Sequence, residues 1–314
     1  MEMVDFEMAF EKINGARPFP WQRALYERFV SDQEDNVPGR CELPTGLGKT
    51  AVVDKSVVAF RLLTSDGRRF RAFDTIRRAR EVAGMLRGCV AKIARHHRWA
   101  DEEINVFIHG KMPAGDAPAQ GDVSPDRFAY LPLPTINQAL GCRAESIRRV
   151  LLAAPLHCGR RIAWARRLLA GNLLCDDRGT PAALLQLLPR DDGVLRQYLT
   201  PCDTWTTVTP VILPRHDGSH PSQAGNLLRL AFEQAGYPPE LIAKCDIQWR
   251  SVGFLPGVDL ATRYLPPQNL CLKPRYHVRV RFPHPVPGPI AVGAGRFRGF
   301  GLFVATAPGT VPTG

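Results

Sequence analysis

The stretch Arg275-Tyr276-His277-Val278-Arg279-Val280-Arg281-Phe282 constrains the fold more than any other, because basic and apolar residues alternate in it with a period of two. A strand puts Arg275, His277, Arg279 and Arg281 on one face and Tyr276, Val278, Val280 and Phe282 on the other. Such a segment needs a sheet with one buried face, and antiparallel sheets are the kind that leave the second face to water. Like charges at intervals of ~7 Å repel one another, so a phosphate backbone suits the basic face. The plain alternative is a solvated face paired with acidic neighbours.

Further on, Gly293-Ala294-Gly295-Arg296-Phe297-Arg298-Gly299-Phe300-Gly301 interleaves glycine with arginine and phenylalanine. The spacing is not that of a dinucleotide fingerprint, and no strand-turn-helix pattern surrounds it. Amides freed by Gly293, Gly295, Gly299 and Gly301, the guanidinium groups of Arg296 and Arg298 and the aromatic faces suit RNA phosphates and bases. A glycine-rich hairpin packing its phenylalanines is the competing reading.

The rest of the chain predicts an α+β fold. Helices are expected over 5–13, 22–30, 49–63, 75–96, 147–156, 162–169 and 223–235, and strands over 40–43, 104–108, 127–133, 206–213, 246–254, 277–282 and 300–305. Strands that alternate with Pro and Gly clusters favour an antiparallel sheet over a doubly wound one. Composition breaks at 64–74 and in the Pro-, Gly- and Ser-bearing run 113–125, which divides the chain into 1–64, 65–125 and 126–314. With 41 Lys and Arg against 30 Asp and Glu, a net charge of +11 and a pI near 9.6, an anionic partner is expected, nucleic acid first. The eight cysteines form no C-x-x-C pair, so no structural zinc is expected, and no apolar run spans a bilayer. A cytoplasmic protein with reduced thiols and no membrane partner follows as the expectation. His216-Asp217-Gly218-Ser219-His220 reads as a turn rather than a metal site.

Leu43-Pro44-Thr45-Gly46-Leu47-Gly48-Lys49-Thr50 sets a Gly-rich turn between a short predicted strand and a predicted helix. There the backbone of Thr45, Gly46 and Gly48 would cradle phosphates, Lys49 would reach the outer ones and Thr50 would hold Mg²⁺. Together with Phe19-Pro20-Trp21-Gln22, it resembles the start of superfamily 2 helicases, of the kind found in type I CRISPR systems; there Gln22 would contact adenine. That resemblance covers 5–63. Leu43 stands where the strict pattern has Gly, and no Asp-Glu-x-His/Asp box follows, so hydrolysis lacks the carboxylate that organises Mg²⁺ and water. ATP and Mg²⁺ enter only under this helicase alternative.

With Phe128-Ala129-Tyr130-Leu131-Pro132-Leu133-Pro134, Thr207 to Pro214 and the strand 275–282, the glycine segment resembles the fused repeat-processing subunit of type I-U (I-G) CRISPR systems, over 70–308. The resemblance implies ferredoxin-like sheets of the RAMP superfamily, CRISPR repeat RNA as ligand, and other subunits of a type I effector complex as partners. Two resemblances in one chain suggest a junction of two genes from one CRISPR locus. Metal-free RNA cleavage needs a base, an acid and cations around the phosphate, with no cofactor, and histidine suits the first two. His277 ranks first for its arginine neighbours, and His109, with Lys111 two positions on, ranks second. A scaffold that holds repeat RNA without cutting it stays open beside these readings.

Overall fold

The computed structural model describes residues 55–111, 126–189, 191–218 and 221–306. Strand β1 (Lys55–Leu63) lies at the centre of the first sheet. It pairs antiparallel with β3 (Arg143–Pro155) on one side, Phe60 opposite Val150, and with β5 (Pro181–Leu187) on the other, Phe60 opposite Leu187. β2 (Ala129–Asn137) and β4 (Leu173–Cys175) close the edges, giving the order β2-β3-β1-β5-β4. Helix α1 (Thr75–His96) joins β1 to β2, and α2 (Gly159–Leu168) joins β3 to the β4-β5 hairpin. Two split β-α-β units interleaved in this way make a ferredoxin-like sheet.

The local chemistry explains α1. The Asp74 side chain accepts a hydrogen bond from the Arg77 amide at 2.7 Å and caps the first turn, while Arg95 and His96 stand in the last turn, where the helix end favours cations. Ala79, Val82, Leu86, Val90 and Ile93 form a buried stripe at helical spacing. That stripe packs on Phe60, Leu62, Tyr130, Val150 and Leu152. The other face of the sheet, with Ala59, Leu131, Leu133 and Leu151, packs on Val208, Leu302 and Val304 and on Leu195 and Tyr198 of α3 (Gly193–Leu199).

The second sheet repeats the scheme with β6 (Cys202–Thr207), α4 (Pro221–Glu233), β8 (Asp246–Arg250), β9 (Arg275–Val286) and β10 (Phe303–Ala305); α5 (Pro239–Ala243) follows α4 and the short β7 (Val211–Ile212) pairs with the start of β9. β9 pairs with β6 and β8, and β6 with β10, all antiparallel. The order β10-β6-β9-β8 is again ferredoxin-like, but the glycine segment, not a helix, connects β9 to β10. Trp205, Val278, Val280 and Phe282 pack against Leu228 and Phe232 of α4.

Three expected elements come out otherwise. The helix expected over 49–63 is strand β1 where it is described, since Lys55–Leu63 is hydrogen-bonded on both sides as a central strand. The helix expected over 147–156 is part of β3; Val150 to Ala154 are buried on both faces, so the alternation that marks a strand is erased. The strand expected over 104–108 is a π-helical segment, Ile104–His109, in which the buried residues are Ile104 and Ile108, a helical interval apart. The first sheet also takes β1 from before the expected division at 64 and its other strands from after it. The helices and the strand expected within 5–43 lie outside the described residues, as do Gln22, Thr45, Gly46, Gly48, Lys49 and Thr50. Among the described residues no helix is long and apolar enough to cross a membrane, and the described cysteines are free thiols.

Candidate nucleic-acid interface

The basic row of β9 does not form one open face. The segment that carries Phe254, Asp259 and Tyr264 folds over it. His277 is 0% exposed, with Nδ1 3.2 Å from Thr207 Oγ1 and the Tyr264 ring edge-on at 5.6 Å. Burial pushes its pKa down to about 4, partly opposed by the Asp259 backbone. A sealed, neutral imidazole has no path to a phosphate, so the catalytic role expected of His277 does not fit its placement. Arg279 is half-buried, its guanidinium 4.8 Å from the centre of the Phe254 ring, which Arg250 also covers at 4.1 Å. Burial lowers the pKa of Arg279 and of the half-buried Arg275, and Arg281 alone of the four is exposed.

The glycine segment is a joint rather than an amide cradle. The amides of Ala294, Arg296, Arg298, Phe300 and Gly301 donate to the carbonyls of Ile212, Gly293, Gly295, Gly295 and Pro210. Three glycines of the segment, Gly293, Gly299 and Gly301, combine positive φ with close approach. At Gly299 (φ +83) a Cβ would lie 2.8 Å from Pro132 Cδ, and at Gly301 (φ +62) it would lie 1.8 Å from the Val292 carbonyl oxygen. Gly293 and Gly295 likewise press on Ile212, and the Tyr130 amide donates to the Phe297 carbonyl at 3.2 Å. What the segment offers a ligand is therefore its guanidinium groups.

Of these, Arg298 faces α1, whereas Arg296 is turned back to donate to the Gly293 carbonyl. A cleft of about 640 Å³ opens between the helix and the glycine segment, lined by Arg80, Gly84 and Arg87, by Phe297 and Arg298, and by Tyr130, Gln268 and Asn269. Arg80, Gly84 and Arg87 follow at helical intervals of four and three, so they share a face beside the buried stripe, and glycine between the arginines leaves room above it. Glu81 and Asp177 line the cleft too; Glu81 is held by Arg78, whose Nε donates to Oε2 at 2.7 Å. Arg298 donates weakly to Asn269 Oδ1 at 3.4 Å, and burial together with Arg87 lowers its pKa. Burial also brings Arg296 down to about 10.

His109 stands beside this cleft, at the end of the π-helical segment, with Gly110 in a left-handed conformation after it. The Tyr130 hydroxyl, from the cleft wall, donates to the Ile108 carbonyl at 3.2 Å. The His109 imidazole is half-buried, and its pKa lies below the ordinary value because of burial and the charges of Arg87, Arg95, Lys111 and Arg127. Of the two histidines singled out from sequence, the structure surrounds this one with cations. Arg80, Arg87 and Arg127 escaped sequence reading, although the i, i+7 spacing of Arg80 and Arg87 beside an apolar stripe was a usable signal. Separately, Asp126, His157 and Cys158 bring one potential metal-ligand atom each within 4.8 Å of one another. His157 Nε2 lies 2.7 Å from Asp126 Oδ1, an ion pair or neutral hydrogen bond according to the protonation of the ring.

No curated protein matches the chain. It is similar to a solved structure described as the crystal structure of Cas6b, at 12% identity and a TM-score of 0.40, covering 80% of this chain and 100% of that one. It is also similar to a structure from the characterization of a Cas6-related gene from Pyrococcus furiosus, at 10% identity and a TM-score of 0.38, covering 81% of this chain and 100% of that one. A family model described as CRISPR-associated protein, GSU0054 family, matches residues 49–305, most of the sequence, and the chain belongs to that family.

Proposed function

We propose that this chain is a RAMP-type protein that binds CRISPR repeat RNA in the cleft between α1 and the glycine segment and cuts it without a metal, His109 serving as the base. The observation that carries this reading is the gathering of Arg80, Arg87 and Arg298 along one cleft, with a half-buried histidine of lowered pKa at its side. Two ferredoxin-like strand orders, with a glycine-rich connection closing the second, support the RAMP assignment. In the reaction, neutral His109 takes the proton of a ribose 2′-hydroxyl, whose oxygen attacks the adjacent phosphorus. The bond to the 5′ oxygen breaks, and that oxygen leaves with a proton from an acid. The products are a 2′,3′-cyclic phosphate and a 5′-hydroxyl end. The cations stabilise the charge that builds on the phosphoryl oxygens.

The test incubates repeat RNA from the chain's own locus with wild type and His109→Ala in the presence of a chelator. Expected are cyclic-phosphate ends with wild type and a rate lower by about 10² to 10⁴ in the variant, binding being little changed. Equal rates remove His109 as the base, and binding without cutting by wild type identifies a holding role. An RNA that does not bind at all overturns the reading.

A further inference from the structure

Asp126, His157 and Cys158 meet because of the register of the first sheet. β2 pairs antiparallel with β3, Ala129 opposite Ala153. Carried past the strand ends, that register sets Asp126 across from the turn Leu156–Cys158, which leads into α2. The carboxylate thus comes from one strand end and the other two side chains from the next, His157 lying 31 positions on. A set assembled in this way leaves no C-x-x-C spacing, so the lack of such a pair does not bear on it.

Among the described residues, these three form the one group whose carboxylate oxygen, imidazole nitrogen and thiol sulfur lie within 4.8 Å of one another. The His157 and Asp126 side chains are 65% and 44% exposed, so an ion reaches them from water and both can rotate to admit it. Cys158 lies deeper, 3% exposed, and its sulfur is a free thiol. Zinc holds N, O and S at about 2.0 to 2.3 Å, which sets its ligand atoms about 3.3 to 3.5 Å apart. Opening Oδ1 and Nε2 from 2.7 Å and bringing them over the sulfur from at most 4.8 Å therefore takes only turns of two exposed side chains. Arg161, whose charge acts on Cys158, is paired with Glu103 at 3.0 Å, which lessens its repulsion of a cation.

We propose that Asp126, His157 and Cys158 are three ligands of a zinc ion that ties the entry to β2 to the turn before α2, with water as the fourth. Calcium and magnesium take oxygen ligands, whereas a thiolate beside an imidazole suits zinc. On binding, the Cys158 thiol gives its proton to water, and the contact between Asp126 and His157 is exchanged for a bond from each to the metal. The site does not depend on the function proposed above.

Co²⁺ is the spectroscopic probe, added to the metal-stripped full chain, and Zn²⁺ is the competitor. One equivalent of Co²⁺ is expected to give the visible bands of a four-coordinate ion and a near-ultraviolet sulfur-to-metal band, both abolished by Zn²⁺. Cys158→Ser is expected to lose the sulfur band, and Cys271→Ser, at an exposed cysteine, to keep it. His157→Ala removes a largely exposed ring, and it is expected to weaken Zn²⁺ by more than the roughly tenfold that loss of an outer partner costs. Zn²⁺ is also expected to raise the Tm of wild type and not that of His157→Ala. No sulfur band in wild type, a band that survives in Cys158→Ser, or an unchanged Zn²⁺ affinity in His157→Ala overturns the site. Should Cys158→Ser not fold, the affinity of His157→Ala decides.

Discussion

His109 and His277 both have pKa values below that of a free imidazole, and the causes separate their parts. At His109, burial and four cations act in one direction while the ring stays half open to solvent. A base must be neutral to work, so cleavage is expected to rise with pH through a pKa below 6.5 and to level off before neutrality. Arg87→Gln removes one of the depressing charges, so it shifts that rise to higher pH; a pH-rate profile of both proteins checks this. At His277 burial dominates, and the effect appears in stability. Its pKa falls from 6.5 in the free side chain to about 4 in the fold, so the unfolded chain binds the proton more tightly. The neutral fold keeps its full stability above pH 6.5 and loses on the order of 3 kcal/mol as pH falls to about 4. His277→Gln, which has no proton to gain, should flatten the urea-unfolding free energy across that window.

At the scale of the element, the glycine segment and α1 use the same residue for opposite ends. Gly301 has a positive φ and a carbonyl where a side chain would be, so Gly301→Ala is expected to cost at least about 2 kcal/mol in urea unfolding. Gly88 lies inside a helix with open space at its Cβ position, and Gly88→Ala is expected to add about 1 kcal/mol. The contrast also shows what the sequence made legible. The stripe of α1 and the alternation of β9 are periodic on their own, and both elements form where those patterns place them. β1 and β3 are covered on both sides, so their apolar runs carry no period, and only partners distant in sequence make them strands. The basic face of β9 was legible as a face but not as a covered one, because Phe254 and Tyr264 come from elsewhere in the chain. The cleft likewise joins Arg80 and Arg87 to Arg298 across more than two hundred positions, a meeting that no local pattern announces.

Across the whole molecule, the excess of positive charge is not spread evenly over the surfaces that could use it. Part of it is taken up by structure: Arg149 lies 3.0 Å from Asp192 across the first sheet, and Arg250 and Arg279 share the Phe254 ring in the second. Arg80, Arg87 and Arg298 instead converge on the cleft where the first sheet's helix meets the glycine segment of the second. Every phosphate that a side chain neutralises releases counterions, so the logarithm of RNA affinity falls with the logarithm of salt concentration, by roughly 0.7 to 0.9 per contact. Measuring that slope therefore locates the interface without a bound structure. Arg80→Ala and Arg87→Ala should each make it shallower by about one contact's worth. Arg279→Ala, whose guanidinium is spent on an aromatic ring, should leave it unchanged. The reverse pattern would move the RNA from the cleft to the outer face of β9.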